Sequence, residues 1–509
     1  MTAKNMAIVA GVSTSFVDPK LSVLEGNETT AGVMPASNIQ VKAGLLAEVK
    51  ADPDGSGSTE VTGDPKVYSY PNDPKDGTAN IVFERYYYTR TGGTPAGPFR
   101  SVIQSFDSSL LTTTAAVEAV INDGPPNFPA NQYLTDWGGG SPTPANSEVV
   151  NAYGVVRLGD YVYVMSYDTW RVTQIDASTK AVVGAITFDY SKYTHGGTPP
   201  ATVMARGQGI KVHEGHLYTL FNVAEDINGT TVASANYQPS VLVEIDTANF
   251  SFKDNNKAQA DRNYVEVGLN SVKIEGADGF LYCPAIGGPQ LAGQSNITRS
   301  GLYRVPVDAS GVLGAAAKAY QGRNDSTFYD IRDIAVGENY AVILIGRFSA
   351  TYDSFTYALL KIMASSLSTV AAGTDIYTLY SARGARFETG TISGYGPFHT
   401  VRYEKLYKHF WCGQSSRIEI YDESSIASSS PAPGQTINSQ AFYGGAGFIN
   451  SMEIFIDNAE PAEEAHAVQK MLRAVPMAAH AGLAGGAMTS LNIERAILEG
   501  HIKAAKPEE

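Results

Sequence analysis

YVYVMSYDTWRVTQIDASTKAVVGAI, residues 161–186, reads as two strands joined by a short polar link, the second strand closing on Asp176-Ala177-Ser178-Thr179. It is either one hairpin or one copy of a repeating unit, and the two readings place function differently. The rest of the chain favours the repeat. An apolar, aromatic strand, then a variable loop, then an alternating strand ending in Asp and a Ser/Thr/Ala turn recurs along the chain.

The first copy is ANIVFERYYY with FRSVIQSFDSSLL, ending at Asp107; the second is the quoted stretch, ending at Asp176. EGHLYTLFNV with SVLVEIDTANF ends at Asp246, and DGFLYCPAIG with GLYRVPVDASG ends at Asp308. In GENYAVILIG with YALLKIMASSL, Met363 replaces the Asp, and KHFWCGQ with SRIEIYDESS ends at Asp422. The anchors are 69, 70, 62, 55 and 59 residues apart, the period of units that bury their faces only against one another. Most copies have a further strand upstream, such as YGVVRLGD, QGIKVHEG, NSVKIEGADG, IRDIAVGEN and FHTVRYEK. A fourth β-rich segment follows in several. About four antiparallel strands per unit is the pattern of a β-propeller blade, whose edges are short once the ring closes.

The quoted stretch resembles a YVTN-type β-propeller repeat. Tyr163 and Val164 stand in its first strand, and Val172, Ile175, Asp176, Thr179 and Val182 match its V-x-I-D-x-x-T-x-x-V strand. The match covers about 30 residues; elsewhere only the apolar rhythm and the Asp recur, across residues 79–430. The resemblance implies a fold. An Asp at such a turn caps backbone N–H groups, so the anchor residues are read as structural.

The fold class expected is therefore all-β, a β-propeller of seven blades, with six as the alternative, and a C-terminal helical extension. Six units are visible, and residues 1–78 and 431–457 hold further strand-like stretches, NIQVKAGLLAEV and AGFINSMEIFID. N-terminal and C-terminal strands are expected to share one blade, giving a propeller over 1–457 and a helical tail over 458–509. In the tail, DNAEPAEEAHAVQKMLRAV has early acids and late bases, suiting a helix dipole, and SLNIERAILEGHIKAA carries Leu491, Ile497, Leu498 and Ile502 largely on one face. That stripe packs on the chain itself or on a partner or second subunit.

Of 509 residues, 43% are hydrophobic and 17% charged, with 50 Gly and 29 Tyr, a composition of many short strands and polar turns. A formal charge of −14 argues against nucleic acid and against an anionic membrane surface as partners. No apolar run is long enough for a membrane-spanning helix. Cys283 and Cys412 occupy similar places in units two apart and are read as buried small hydrophobes. The start, MTAKNMAIVAGVSTS, is read as a strand rather than a leader, and sequons stand at Asn27, Asn228 and Asn296.

Insertions fall mainly between the second and third strands of the units, in loops rich in Gly, Thr, Ser, Asn and Tyr, a composition suited to adaptable recognition. The candidate ligand-binding residues on that face are Tyr167, Asp168, Trp170, Asn236, Tyr237, Arg299, Arg347 and Tyr352. DPDGSGSTE sets Asp52, Asp54, Ser56 and Glu60 as candidates for a structural calcium site, although Gly63 stands where an EF-hand needs its bidentate Glu. HEGH places His213 and His216 about a turn with no third zinc ligand in view. SYDTW is similar to the aspartate-box turn of sialidases but lacks its Gly. There is no GxSxG elbow, phosphate loop, HExxH or CxxCH, so no catalytic residue is nominated. The expectation is a non-enzymatic propeller, secreted, periplasmic or at the cell surface, that binds a protein or glycan, or assembles, through its loop-rich face. The alternative is a subunit or domain of a periplasmic oxidoreductase or other enzyme with its site at the central channel.

Overall fold

The computed structural model describes residues 3–14, 18–50, 65–72, 78–91, 94–124, 149, 151–167, 170–189, 203–225, 237–253, 263–287, 300–322, 330–349, 354–382, 384–393 and 399–455. For 86–91, 94–100, 203–205, 224–225, 237, 348, 392–393 and 399 it describes the backbone only. The chain folds into a seven-bladed β-propeller, and the expectation of seven blades holds over six.

Blade two is the quoted stretch with its upstream strand. Ala152–Leu158, Tyr161–Ser166, Arg171–Asp176 and Val182–Thr187 pair antiparallel in chain order. Blades three to six repeat this plan, with inner strands Val203–His213, Glu275–Ala277, Asp330–Val336 and His399–Glu404. Blade one has three described strands, Lys66–Pro71, Ala79–Thr91 and Thr94–Asp107. In blade seven the inner strand is Gly447–Ile454, paired with Lys4–Ser13, then Lys20–Gly26 and Ile39–Glu48. The first and last described strands thus meet in one sheet, with Ile8 opposite Glu453 and Val9 opposite Met452.

Local chemistry explains the turns. Inner and second strands are joined in blade three by Glu214-Gly215 and in blade four by Asp278-Gly279, with φ of 51°, 81°, 47° and 74°. Two positive φ values are what a tight hairpin turn needs to match strand twist, and Gly supplies one without penalty. The third strands end in the anchors. One Asp176 oxygen accepts from the Ser178 and Thr179 amides at 3.0 and 2.7 Å and from both hydroxyls at 2.7 and 2.9 Å. Asp308 takes the Ser310 and Val312 amides at 2.8 and 3.0 Å, and Asp246 the Ala248 amide at 3.0 Å. Asp422 differs: its oxygen accepts the Ala36 amide of blade seven at 3.0 Å, tying two blades.

Alternation along each strand sends side chains to both faces of a blade, and every face meets a neighbour. The apolar core accordingly divides into seven clusters, one per blade junction. Tyr163, Met165 and Val172 of blade two pack with Leu217, Phe221 and Val241 of blade three. Trp411 and Ile420 of blade six pack with Met6, Val9 and Ile449 of blade seven, and Ile8, Leu21 and Val23 of blade seven with Val67, Ile81 and Phe83 of blade one. Those two junctions close the ring.

Two outer edges are covered. Ala317–Gln321 of blade four gains a parallel partner, Thr374–Asp375, from the third-to-fourth link of blade five. The helix Thr114–Asp123, capped by Thr113, follows blade one and covers the outer strand of blade seven. There Asn122 accepts from the Lys50 amide at 2.8 Å and donates to the Glu48 carbonyl at 2.7 Å, occupying an edge that would otherwise offer itself to another strand.

Candidate functional site: the channel and its mouth

Antiparallel pairing places the start of each inner strand at the same end of the ring as the link between the second and third strands. The inner-to-second and third-to-fourth turns, including the anchor Asp residues, lie at the other end. The seven inner strands surround the axis. Their residues, with the adjoining Lys273, carry more basic than acidic side chains in a chain whose formal net charge is −14.

At the loop-side mouth, blades one to three contribute a stack of two cations and two tyrosines. The Lys66 ammonium lies 4.5 Å from the Tyr153 ring centre, the Tyr153 and Tyr167 rings are 4.6 Å apart, and the Arg206 guanidinium is 5.0 Å from Tyr167. Arg206 also donates to the Tyr167 hydroxyl at 2.8 Å. Lys66 donates to the Asn151 side chain, and the Tyr167 amide to the Asn151 carbonyl at 2.8 Å. Cations over ring faces hold the rings in place. Tyr153 remains 37% exposed, the one aromatic ring among the exposed large hydrophobics of the described residues.

Deeper in, six charged side chains from five blades meet. Asp333 of blade five receives Lys273 at 2.6 Å on one oxygen; on the other it receives Arg402 at 3.3 Å, the Thr400 hydroxyl at 2.6 Å and the Val401 amide at 2.9 Å. Lys273 also donates to the carbonyls of Ile334 and Val401, at 2.9 and 3.1 Å, so its three donors are engaged. Glu275 stands 3.5 Å from both Lys211 and Lys273. Glu453, on the C-terminal strand, accepts from Ser69 of blade one at 3.1 Å.

The electrostatics follow from enclosure by seven strands. Burial opposes charge on Asp333 and Glu275, but their cationic neighbours outweigh it and both carboxyls stay below the usual range. Burial lowers Lys273, with Arg402 adding repulsion. Glu453 goes the other way: burial pushes its carboxyl up to about 7, against the pull of Arg402, Ser69 and Lys211. The network is thus a compensated set of charges with one carboxyl that titrates near neutrality.

Of the residues selected from sequence, Tyr167 enters the mouth stack. Trp170 does not: it packs partly buried against the apolar junction of blades two and three. Arg347 lies on the second strand of blade five, opposite Thr356. Only the backbone of Tyr237 is described, and Asp168, Asn236, Arg299 and Tyr352 lie outside the described residues. So do the calcium candidates Asp52, Asp54, Ser56 and Glu60, and the tail from 456. His213 and His216 face each other across the turn but serve different neighbours. A Cβ at Gly276 would stand 2.6 Å from the His213 Nδ1, whereas the His216 Nδ1 lies 2.9 Å from Glu244. Cys283 and Cys412 are buried free thiols, and burial pushes Cys283 up to about 12. No group of three or more metal-ligating side chains occurs among the described residues. Sequence reasoning passed over Lys66, Tyr153, Arg206, Lys211, Lys273, Asp333, Arg402 and Glu453. The signal available was their placement on the strands upstream of each repeat.

No family model and no curated protein sequence matches the chain. Among solved structures it is similar to a putative 6-phosphogluconolactonase from Bacteroides fragilis, at 9% identity over 89% of this chain and 98% of that one, with a TM-score of 0.41. It is also similar to apo AztD from Citrobacter koseri, at 10% identity over 89% and 99% of the two chains, TM-score 0.35. A third is the PQQ-bound aldose sugar dehydrogenase of Streptomyces coelicolor, at 13% over 58% and 83%, TM-score 0.32. These likenesses carry no argument about function.

Proposed function

We propose that this chain is a non-enzymatic binding or assembly propeller, of YVTN-like repeat character and working at the cell surface, in the periplasm or as a secreted protein, whose loop-rich face contacts a protein or glycan. The observation that supports it is the mouth stack. Tyr153 keeps an exposed ring beside Tyr167, and Lys66 and Arg206, on the inner strands of blades one and three, hold the pair in place. Aromatic side chains that are amphipathic and already ordered bind at low entropic cost, and rigid elements hold them better than loops do.

The other reading, an enzyme or enzyme subunit working at the channel, has in its favour two inner-strand carboxyls, Glu453 and Asp330, that burial pushes up to about 7. Groups with such values concentrate at catalytic sites, and also in structural charge networks. The compensated partners around Glu453 fit the second case. The test is a glycan array probed with labelled full-length protein, alongside Tyr153→Ala. A carbohydrate ligand lost in the variant, at an unchanged unfolding midpoint, supports the reading. Equal binding by both proteins, or turnover abolished by Glu453→Gln, contradicts it.

A further inference from the structure

Among the described charged groups of the channel, two keep donors turned to the lumen. Lys211 has a single contact, Glu275 at 3.5 Å, and its side chain is 36% exposed. Arg402 spends Nη1 on Asp333, Thr400 and the Val401 carbonyl, which leaves Nε and Nη2; its side chain is 34% exposed. Lys211 and Arg402 belong to one ion-pair chain through Glu275, Lys273 and Asp333, and both act on Glu453, which the inner strand of blade seven carries beside Ser69. By contrast Lys273 is saturated.

The charge balance of the region decides what it accepts. Lys211, Lys273 and Arg402 face Glu275 and Asp333, so whenever Glu453 is neutral one positive charge is in excess. A low-dielectric wall of seven strands focuses that excess onto the lumen. A monoanion cancels it; a dianion such as phosphate leaves a charge over. We infer that the middle of the channel is a binding site for a small carboxylate, held between Lys211 and Arg402 beside Glu453, and that the anion enters together with a proton taken up by Glu453.

No bond of the anion breaks in this step. The proton comes from solvent and rests on the Glu453 carboxylate, turning a repelling neighbour into a hydrogen-bond donor. The groups that act on Glu453 are Ser69 and Tyr68 of blade one, Lys211 of blade three and Arg402 of blade six; Glu275, Lys273 and Asp333 adjoin those two cations. Near neutral pH the exchange is inexpensive, because burial has already lifted this carboxyl. The site lies below the mouth stack and is independent of the reading of the loop face.

A free acid and the terminal carboxylate of a longer saccharide share this chemistry. Calorimetric titration of the full chain with sodium glucuronate, and with a polymeric uronate, separates the two sources. Sodium chloride at matched ionic strength is the control. Glucuronate is expected to bind with uptake of up to one proton, seen as a dependence of the heat on buffer ionisation, and to weaken by about tenfold per pH unit above 7. Lys211→Met is expected to weaken binding at least about tenfold, and Glu453→Gln to bind without proton uptake. Arg402→Gln probes the same site but removes a partner of Asp333; Lys211, with one long contact, keeps the test sound should that variant unfold. Glucuronate indistinguishable from chloride, unchanged affinity in Lys211→Met, or binding without proton uptake in the parent protein overturns the inference.

Discussion

At the scale of single residues, carboxylates that look alike in sequence have opposite roles. Asp176 is held down to about 2 by the Thr179 amide, the Ser178 and Thr179 hydroxyls and the Ser178 amide. Its folded value lies below its unfolded one, so its contribution to stability is present above about pH 4 and is lost as pH falls toward 2. Asp176→Ala is therefore expected to lower the thermal midpoint at pH 7 and to converge with the parent near pH 2; a gap independent of pH contradicts the turn-cap role. For Glu453 the sign reverses. Its folded carboxyl sits at about 7, above the ordinary value, so the protein loses stability as pH rises from about 4.5 through 7. Glu453→Gln should match the parent at pH 4.5 and exceed it at pH 8, and a parallel pH profile in thermal unfolding would refute this. The Asp turn was legible because its partners lie within three residues. Glu453 was not, because its surroundings come from residues 69, 211 and 402.

At the scale of elements, second and third strands were the readable part. HFWCGQ is buried at all six positions, and a continuous apolar run bounded by turn residues is a strong strand signal. Trp411 within it is wholly buried at the junction of blades six and seven. Trp411→Ala is expected to cost about 3–5 kcal/mol, measured by denaturant unfolding, because the cavity opens where the ring closes. The helix Thr114–Asp123 went unread in the sequence. Its signals were present: Thr113 as a cap, accepting the Ala116 amide at 3.2 Å, and Val117 and Ile121 buried one turn apart. Thr113→Ala should cost about 1 kcal/mol and raise amide exchange in Ile39–Glu48, whose edge this helix covers. Unchanged exchange there would mean that the helix does not protect the edge.

At the scale of the whole molecule, the number of blades followed from six visible repeats and the strand-like stretches on either side of them, whereas the site did not. The contacts that join blades at the mouth and channel link residues 39 or more positions apart, and only the assembled ring brings them together. The pairing between Lys4–Ser13 and Gly447–Ile454 completes the blade at which the ring closes and also delivers Glu453 to the lumen. The most direct measurement is therefore a disulfide across that pairing. Ala10 and Ser451 are Cα partners, one buried and one half-buried, and the native thiols Cys283 and Cys412 are too buried to compete. In Ala10→Cys/Ser451→Cys, mild oxidation of the folded protein should link the two ends, shift mobility on a non-reducing gel and raise the unfolding midpoint, since the bond closes a very long loop. Thiols that remain free in the folded, oxidised protein would contradict the closed ring, and with it the channel.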